Sequence, residues 1–527
     1  MFRHLKAVMA ISALVLSLLP TSTSFADETP SDRITNRIPD AESGGYTRLI
    51  FNPDPDSANY SVQPNSQHQT FTSVLPVCST EFTSECIESL EYRHKGDTKW
   101  EFGKLLPSKN PNMDGITAIT FSDDGSSQTY GPVTRDSRIG RPYGSMSSSW
   151  ELINATHNGG NEYLLSVSVS NFPRGNVTNA FDFSIALKAV QWKTPPALGL
   201  YDKTANSSTQ FNLPQDYEYQ IKVRLGFLEK RIINWYNGRI SDPKITLNNG
   251  LLTILGSPSF YPMAGTNYFK CSEILGEKKL TLISYFGPSV LDGPMCTDSN
   301  GSTFVVLPQD EFAFKAFDLW DSEIKEYGKN SAWAIFASSN LGVCSTSQIA
   351  GVVSSNSLLY SVNPPNFDLA KRTLSYRIAS THLNSKGDLN QGRFNLAINK
   401  DVAECLWGIK AKNLSEAQVD VTYPDGKPIV GTTTLYVKDD WVYINIENFT
   451  FSSPTFNIKA TERATQTPTP IDVPTASPSP SAAPTVVPSP TPTPVSVRKT
   501  SITCIKGKTT KRLSAVNPKC PAGYKKK

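Results

Sequence analysis

Tyr217-Glu218-Tyr219-Gln220-Ile221-Lys222-Val223-Arg224-Leu225-Gly226-Phe227 carries the reading that decides the fold. Tyr219, Ile221, Val223, Leu225 and Phe227 recur at a period of two, with Gln220, Lys222 and Arg224 between them. An extended chain points successive side chains to opposite faces, so the pattern predicts a strand with one buried and one wet face. Just downstream, residues 244–247 and 251–255 flank Asn248-Asn249-Gly250. Asn-Gly tolerates the positive φ angles of a tight turn, which predicts a β-hairpin. Upstream, residues 91–93 and 99–102 flank Gly96-Asp97 in the same way.

The pattern repeats along the body. Further strands are predicted over 163–169, 181–192, 331–337, 374–380, 394–398, 417–423, 432–437, 441–446 and 456–460, with turns at Pro424-Asp425-Gly426 and Asp439-Asp440. One helix is predicted, with Trp320, Ile324 and Tyr327 on its face, Asp318 at its start and Gly328 at its end. Short strands with turn punctuation favour antiparallel sandwiches over α/β folds. The expected fold is all-β, with two antiparallel β-sandwich-like modules at 71–258 and 259–460 and one short helix.

The ends of the chain have different chemistry. Arg3 and Lys6, an apolar run over 7–19 and Ser24-Phe25-Ala26 predict a signal peptide over 1–26. Residues 27–70 read as a polar leader with one strand near 46–51. Pro, Ser and Thr supply 22 of the 33 residues from 465 to 497. So few apolar groups cannot offset the entropy of ordering, and a disordered Pro-rich linker is expected over 461–497. Residues 498–527 hold ten Lys or Arg and no acid, against 39 basic and 47 acidic residues from 27 to 497. The near-neutral total of +4 thus hides an acidic body and a basic tail. After signal cleavage no transmembrane segment is expected.

Eight cysteines in an exported chain imply disulfides. The expected pairs are sequential, Cys78–Cys86, Cys271–Cys296, Cys344–Cys405 and Cys504–Cys520, because each stays within one apparent module. None forms C-x-x-C, and with five histidines there is no zinc spacing. The tail is expected to form a small disulfide-bonded hairpin, residues 502–507 against 509–515.

No motif assigns chemistry to the body. G-x-S-x-G and H-E-x-x-H are absent, and Gly287-Pro288-Ser289 has the wrong continuation. His68, His94, His157 and His382 are scattered singly, which favours ordinary hydrogen-bonded or surface roles over a triad. Asp310/Glu311, Asp318/Asp321 and Asp439/Asp440 are neighbouring acids. Glycoside hydrolysis needs a spatial separation that sequence adjacency does not set, so these read as cap and turn residues. Calcium is the ion that the loops at 123–125, 298–301 and 384–390 would take. None completes an EF-hand pattern, and turns want the same residues, so no cofactor is expected. The tryptophans read as core residues, with Trp235-Tyr236-Asn237-Gly238 expected at a turn and singled out for exposure.

Residues 501–508 (Ser-Ile-Thr-Cys-Ile-Lys-Gly-Lys) and 517–526 (Asn-Pro-Lys-Cys-Pro-Ala-Gly-Tyr-Lys-Lys) resemble a tail of exported actinobacterial proteins, where it follows a Pro/Thr/Ser linker as here. Cys405-Leu406-Trp407-Gly408 and residues 448–454 (Asn-Phe-Thr-Phe-Ser-Ser-Pro) are similar to uncharacterised secreted proteins of the same bacteria. The resemblance implies a location and carries no activity or catalytic residue.

The expectation is a secreted, wall-associated binding or structural protein, with a polysaccharide-active hydrolase as the alternative. Lys506, Lys508, Lys511, Arg512, Lys519, Lys525, Lys526 and Lys527 would meet an anionic cell-wall polymer, and the body a glycan or protein. Nucleic acid is disfavoured, because Tyr524 is the tail's one aromatic side chain for base stacking. Peptide mapping of the mature protein without reduction should recover Cys504 and Cys520 in one linked species. An alkylatable thiol at either position would disprove the staple.

Overall fold

A computed structural model describes most of residues 71–106, 135–192, 208–292, 302–338 and 343–462, with segments at 33–34, 47–51, 118–121, 128–131, 500–506, 509–515 and 525–526. Residues 1–26, expected to be a signal peptide, and residues 463–499 lie outside the described residues. The chain divides into two compact units, 1–464 and 465–527.

The first unit begins its main framework with β1 (Cys86–His94), β2 (Glu162–Arg174) and β3 (Val177–Trp192). β4 (Tyr217–Arg224), β5 (Trp235–Asn248) and β6 (Leu251–Thr266) follow. Three helices come next: α1 (Gly276–Phe286), α2 (Ser289–Asp292) and α3 (Glu311–Trp320). The chain then returns to strand as β7 (Ile324–Ser338), β8 (Gly351–Ser355), β9 (Thr373–Ala379) and β10 (Gln391–Asn399). α4 (Lys400–Trp407) leads to β11 (Leu414–Thr422), β12 (Thr432–Lys438), β13 (Trp441–Thr450) and β14 (Thr455–Glu462).

β4 follows the alternation of its sequence. Tyr219, Ile221, Val223 and Leu225 are fully buried, and β4 pairs with β1 on one side and β6 on the other. Its outward face is less wet than the pattern implies. Gln220 Nε2 and Lys222 Nζ each donate at 2.7 Å to the carboxylate of Glu91, itself 3% exposed. The strand stops at Arg224 for a local reason. Gly226 takes a φ of +53°, and a side chain there would lie 1.7 Å from Glu85 Oε1. That buried carboxylate accepts the Phe227 amide at 3.0 Å and Arg135 Nε at 2.7 Å. Phe227 therefore leaves the alternation and is only partly buried against the core.

Both halves of the hairpin at 244–255 form as expected. β5 and β6 pair from Asn248↔Leu251, with Asn249 and Gly250 at φ of +51° and +74°. Both strands run on to change sheets. The stretch from Trp235 to Arg239 pairs with β7, whereas residues 240–248 pair with β6. β6 pairs with β4 and β5 before Ser259 and with β7 after it. The register of β5 slips between Ser241 and Lys244, where Asp242 takes a φ of +52° before Pro243. Bulges of this kind bend a strand enough to turn a corner between packed sheets.

Three β layers result. In the central one β2, β3, β7, β5, β8, β10, β13 and β12 pair in succession. On one side it packs against β1, β4 and the hairpin of β5 and β6 around a core containing Tyr219, Ile221, Phe183, Tyr236, Trp333, Ile335 and Val352. On the other it packs against β9, β14, β11 and α4 around Trp235, Val353, Phe394, Leu396, Ile444 and Phe456. Neighbouring residues thus serve different cores: Trp235 and Tyr236, Val352 and Val353, Leu396 and Ala397. The expected boundary at 258/259 between separate sandwiches falls inside β6, and the two cores share the central sheet. Pro258 marks a corner rather than a linker.

The helix expectation is also corrected. α3 ends at Trp320, where a helix was expected to begin, and its buried stripe is Ala313, Phe314, Ala316, Phe317 and Trp320. Ile324 and Tyr327 belong to β7, which is held extended by β6 through Thr266↔Ile324. Ile324 is buried and Tyr327 is 41% exposed, as a strand requires at a spacing of three. The single expected helix becomes four among the described residues. α1, α2 and α3 enclose a third core with Leu49, Phe304 and Val306. Leu49 lies on the strand Thr47–Phe51, so that part of the leader is built into the body.

Cys78 is joined to Cys86 and Cys344 to Cys405, and Cys271 is disulfide-bonded. Cys296 and Cys520 lie outside the described residues. In the second unit β15 (Thr500–Lys506) pairs antiparallel with β16 (Thr509–Ala515), and residues 525–526 pair with 504–505.

Gly238 tests the closeness of the central strands. A Cβ there would lie 2.3 Å from the Ala334 carbonyl oxygen and 2.9 Å from Ile335 Cα, backbone atoms that cannot swing aside. Gly238→Ala should lower unfolding stability by about 2 kcal/mol or more, read from the urea midpoint. An unchanged midpoint would show that β5 and β7 are further apart than described.

Candidate functional site

β10, β13 and β12 send one set of side chains into the second core: Phe394, Leu396 and Ile398, then Val442, Ile444 and Ile446. The alternate set faces the other way, and register fixes its neighbours. Across the three strands lie Asn395, Asn445 and Thr434; beside them Ala397, Tyr443 and Tyr436; and on the other flank Arg393, Glu447 and Thr432. β8 adds Ser354 directly opposite Asn395. Leu247 of β5 and Trp441 and Tyr443 of β13 pack partly against the first core, so that core ends here. Beyond it the sheet continues as a shelf.

Two tyrosines form the shelf's aromatic part. Tyr436 and Tyr443 stack with ring centroids 4.8 Å apart and planes 14° from parallel, and Tyr436 is 41% exposed. Burial pushes the Tyr443 hydroxyl up to about 12, with Tyr436 and Asp439 acting in the same direction. Both rings are neutral phenols at physiological pH.

Amides run inward from the tyrosines. Asn395 Nδ2 donates to Asn445 Oδ1 at 2.9 Å, while buried Asn395 Oδ1 has no partner among the described residues. Ser354 Oγ, 1% exposed, has none either. Arg393 reaches to the corner where β5 and β6 change sheets. Its Nη2 donates to the hydroxyls of Ser241 and of Ser259, the latter at 3.1 Å, and its buried Nε is unmatched. Burial lowers the Arg393 pKa from its ordinary value, and Asp242 and Glu447 oppose that shift. A buried polar atom without a partner costs on the order of 1–3 kcal/mol; other buried side-chain atoms of the described residues, Ser73 Oγ, Ser380 Oγ and Trp407 Nε1 among them, also lack one.

The acids named from sequence are placed differently. Asp318 lies in the last turn of α3, not at a helix start, and pairs with Arg377. Arg377 also donates to Ser453 Oγ at 3.0 Å. Burial and the nearby Asp318 raise the Asp321 pKa, against the pull of His382. This is the one pair of suggested acids with a perturbed member among the described residues. Asp439 and Asp440 form the turn between β12 and β13, and Asp440 pairs with Lys400 at 3.2 Å. Glu311 is the first residue of α3, and Asp310 lies outside the described residues.

The remaining candidates resolve as follows. His94 faces Asp216 at 3.4 Å. His157 accepts from the Gly159 amide and contacts the Glu162 carbonyl, and burial lowers its pKa. His382 Nδ1 lies 2.6 Å from the Phe451 carbonyl oxygen. The loop at 384–390 is a turn: Asn384 Oδ1 accepts the amides of Lys386 and Asp388, and Asn390 is buried against Glu326. The loops at 123–125 and 298–301, His68, Lys508, Lys519 and Lys527 lie outside the described residues. No cluster of metal-ligating side chains occurs among the described residues. Trp235, read as a core residue but placed at a turn, is 1% exposed and lies on a strand of the central sheet.

Sequence reading missed the shelf itself. Its signal was available in the two-residue turn at Asp439-Asp440, which fixes Lys438 opposite Trp441 and so Tyr436 opposite Tyr443. No protein-family model matches the chain, and no curated protein matches it.

Glu326 gives a pH test of a buried carboxylate near the 384–390 turn. It is 7% exposed, and burial raises its pKa against hydrogen bonds from Asn390 and Thr381. A raised folded-state value favours the native state below the ordinary carboxylate range, and that advantage is lost as pH rises through the folded value. The stability difference between Glu326→Gln and the native chain should therefore move in favour of the variant from about pH 4.3 upward. A constant difference from pH 4 to 7 in thermal unfolding would contradict this.

Proposed function

We propose that the chain is an exported binding protein associated with the cell envelope, and that the shelf of β10, β13 and β12 takes a carbohydrate. The stacked, exposed Tyr436 beside a line of buried amides and hydroxyls carries this reading. Sugars present apolar C–H faces and a fringe of hydroxyls. They fit a site of aromatic surface with a few fixed polar groups.

Three sequence features support export and surface retention: the signal peptide, the linker of 465–497 and the basic tail. The disulfides belong to an oxidising compartment. Lys506, Lys511, Arg512, Lys525 and Lys526 fall on paired strands of the tail unit, which makes it a compact carrier of positive charge for an anionic wall polymer. Its Cys504–Cys520 staple belongs to the same reading. The alternative, a polysaccharide hydrolase, has the raised Asp321 carboxyl in its favour, but neighbouring Asp318 is committed to Arg377.

A reporter fused to residues 465–527 should be retained on isolated Gram-positive envelopes, less so as salt rises, and not at all without 498–527. Salt-independent retention would overturn the electrostatic role of the tail. Tyr436→Ala should weaken retention of the mature chain on a polysaccharide column about tenfold, a loss of ~1.4 kcal/mol. Unchanged retention would remove the shelf from the binding surface.

A further inference from the structure

We propose that His157 is an acid-released latch, which holds the turn of residues 157–160 and the end of a neighbouring strand against the first core while its imidazole is neutral. The proposal does not depend on the carbohydrate reading.

Residues 157–160 are His-Asn-Gly-Gly, closed by two backbone hydrogen bonds, from the His157 amide to the Gly160 carbonyl at 2.7 Å and the reverse at 2.9 Å. Both ring nitrogens of His157 are also committed, and their partners fix the tautomer. The Glu162 carbonyl oxygen, 2.9 Å from Nε2, can only accept, so Nε2 carries the proton. The Gly159 amide, 3.0 Å from Nδ1, can only donate, so Nδ1 is bare. A second proton on the ring would turn that acceptor into a donor facing a donor.

The imidazole is wedged between two other rings. Tyr163 of β2 meets it edge to face, with centroids 5.2 Å apart, and Phe211 lies 5.4 Å away with planes 30° from parallel. Phe211 ends the strand Ser208–Phe211, which pairs with residues 189–192 of β3. Gly159 belongs to the same wedge, since a Cβ there would lie 2.2 Å from the Phe211 ring. A turn that releases His157 therefore uncovers Phe211, a member of the first core.

The surroundings offer little to a cation. Neither the other residues of the turn nor the strand 208–211 carries an ionisable side chain. On β2, Tyr163 is a neutral phenol that donates to the Ala155 carbonyl at 2.6 Å, and Tyr219 of β4 stands behind it. Glu162 favours the proton, but burial opposes it more strongly. The imidazole thus titrates lower in the closed turn than in the released one, and acid below about pH 6.5 drives release.

Hydrogen exchange of the mature full chain, read by mass spectrometry at about pH 7 and about pH 5.5 and corrected for the intrinsic rate, tests the latch. Protection of 153–163 and 208–213 should fall at least about threefold at the lower pH, while that of 219–225 holds. His157→Asn places a non-titrating oxygen at the Asx-turn spacing from the Gly159 amide, so it should keep the protection and lose the acid response. His68→Asn, His94→Asn and His382→Asn, at the other histidines of the mature chain, should leave the response intact. Should His157→Asn prove unprotected at both values, these three variants decide between the histidines. Equal protection of the native chain at both values would overturn the latch. So would an acid response that persists in His157→Asn, or one that disappears in any of the other three variants.

Discussion

The fold depends on a sheet whose middle strands are buried on both faces. In β8 every residue from Gly351 to Ser355 is buried, with Val352 directed to one core and Val353 to the other. A strand so placed has no face to spare for water, and its neighbours must approach closely. Gly351 leaves room for the Trp235 ring, which a Cβ would meet at 2.3 Å. The outer layers are reached by strands that leave the central sheet at a bulge, as β5 and β6 do. Separating the halves of the body would expose both cores at once.

This constraint explains what the sequence reveals and what it conceals. β4 was legible because one side of it faces a core and the other carries Gln220, Lys222 and Arg224, so burial and polarity alternate together. The hairpin of β5 and β6 was legible from Asn249-Gly250, where backbone sterics act locally. Trp235-Tyr236 was placed at a turn rather than in a strand because both residues are apolar when each faces its own core. Period-two reasoning has nothing to detect in such a strand. Ile324 and Tyr327 have helical spacing, but pairing with β6 decides their backbone. Turn chemistry and one-sided strands are local properties; two-sided burial is set by partners far away in sequence.

The shelf falls between these cases. Its alternation in β13 was visible, and the turn at Asp439-Asp440 placed the tyrosines side by side. Its polar floor was not visible, because Asn395 and Ser354 lie 41 positions apart in sequence and become neighbours only through the pairing of β8 with β10. Nor can a sequence show that an amide oxygen lacks a donor. Buried charge in this molecule is otherwise satisfied at Glu85, Glu91 and Arg239, the last of which donates to the carbonyl of Leu358 at 2.7 Å and lies over the Tyr261 and Tyr360 rings. Those groups tie layers together. They are architecture.

The last strand of the body has a consequence of another kind. β14 is flanked on both sides, by β9 and by β11, and both ladders are antiparallel. Their hydrogen bonds lie across the strand direction, so a pull on the chain beyond residue 462 along the strand loads both ladders in shear rather than opening them one bond at a time. Phe456, Ile458 and Ala460 must also be drawn out of their core before the strand can slide. A body tugged from its C-terminal end therefore resists at its first point of attachment, a mechanical strength that equilibrium unfolding would not register.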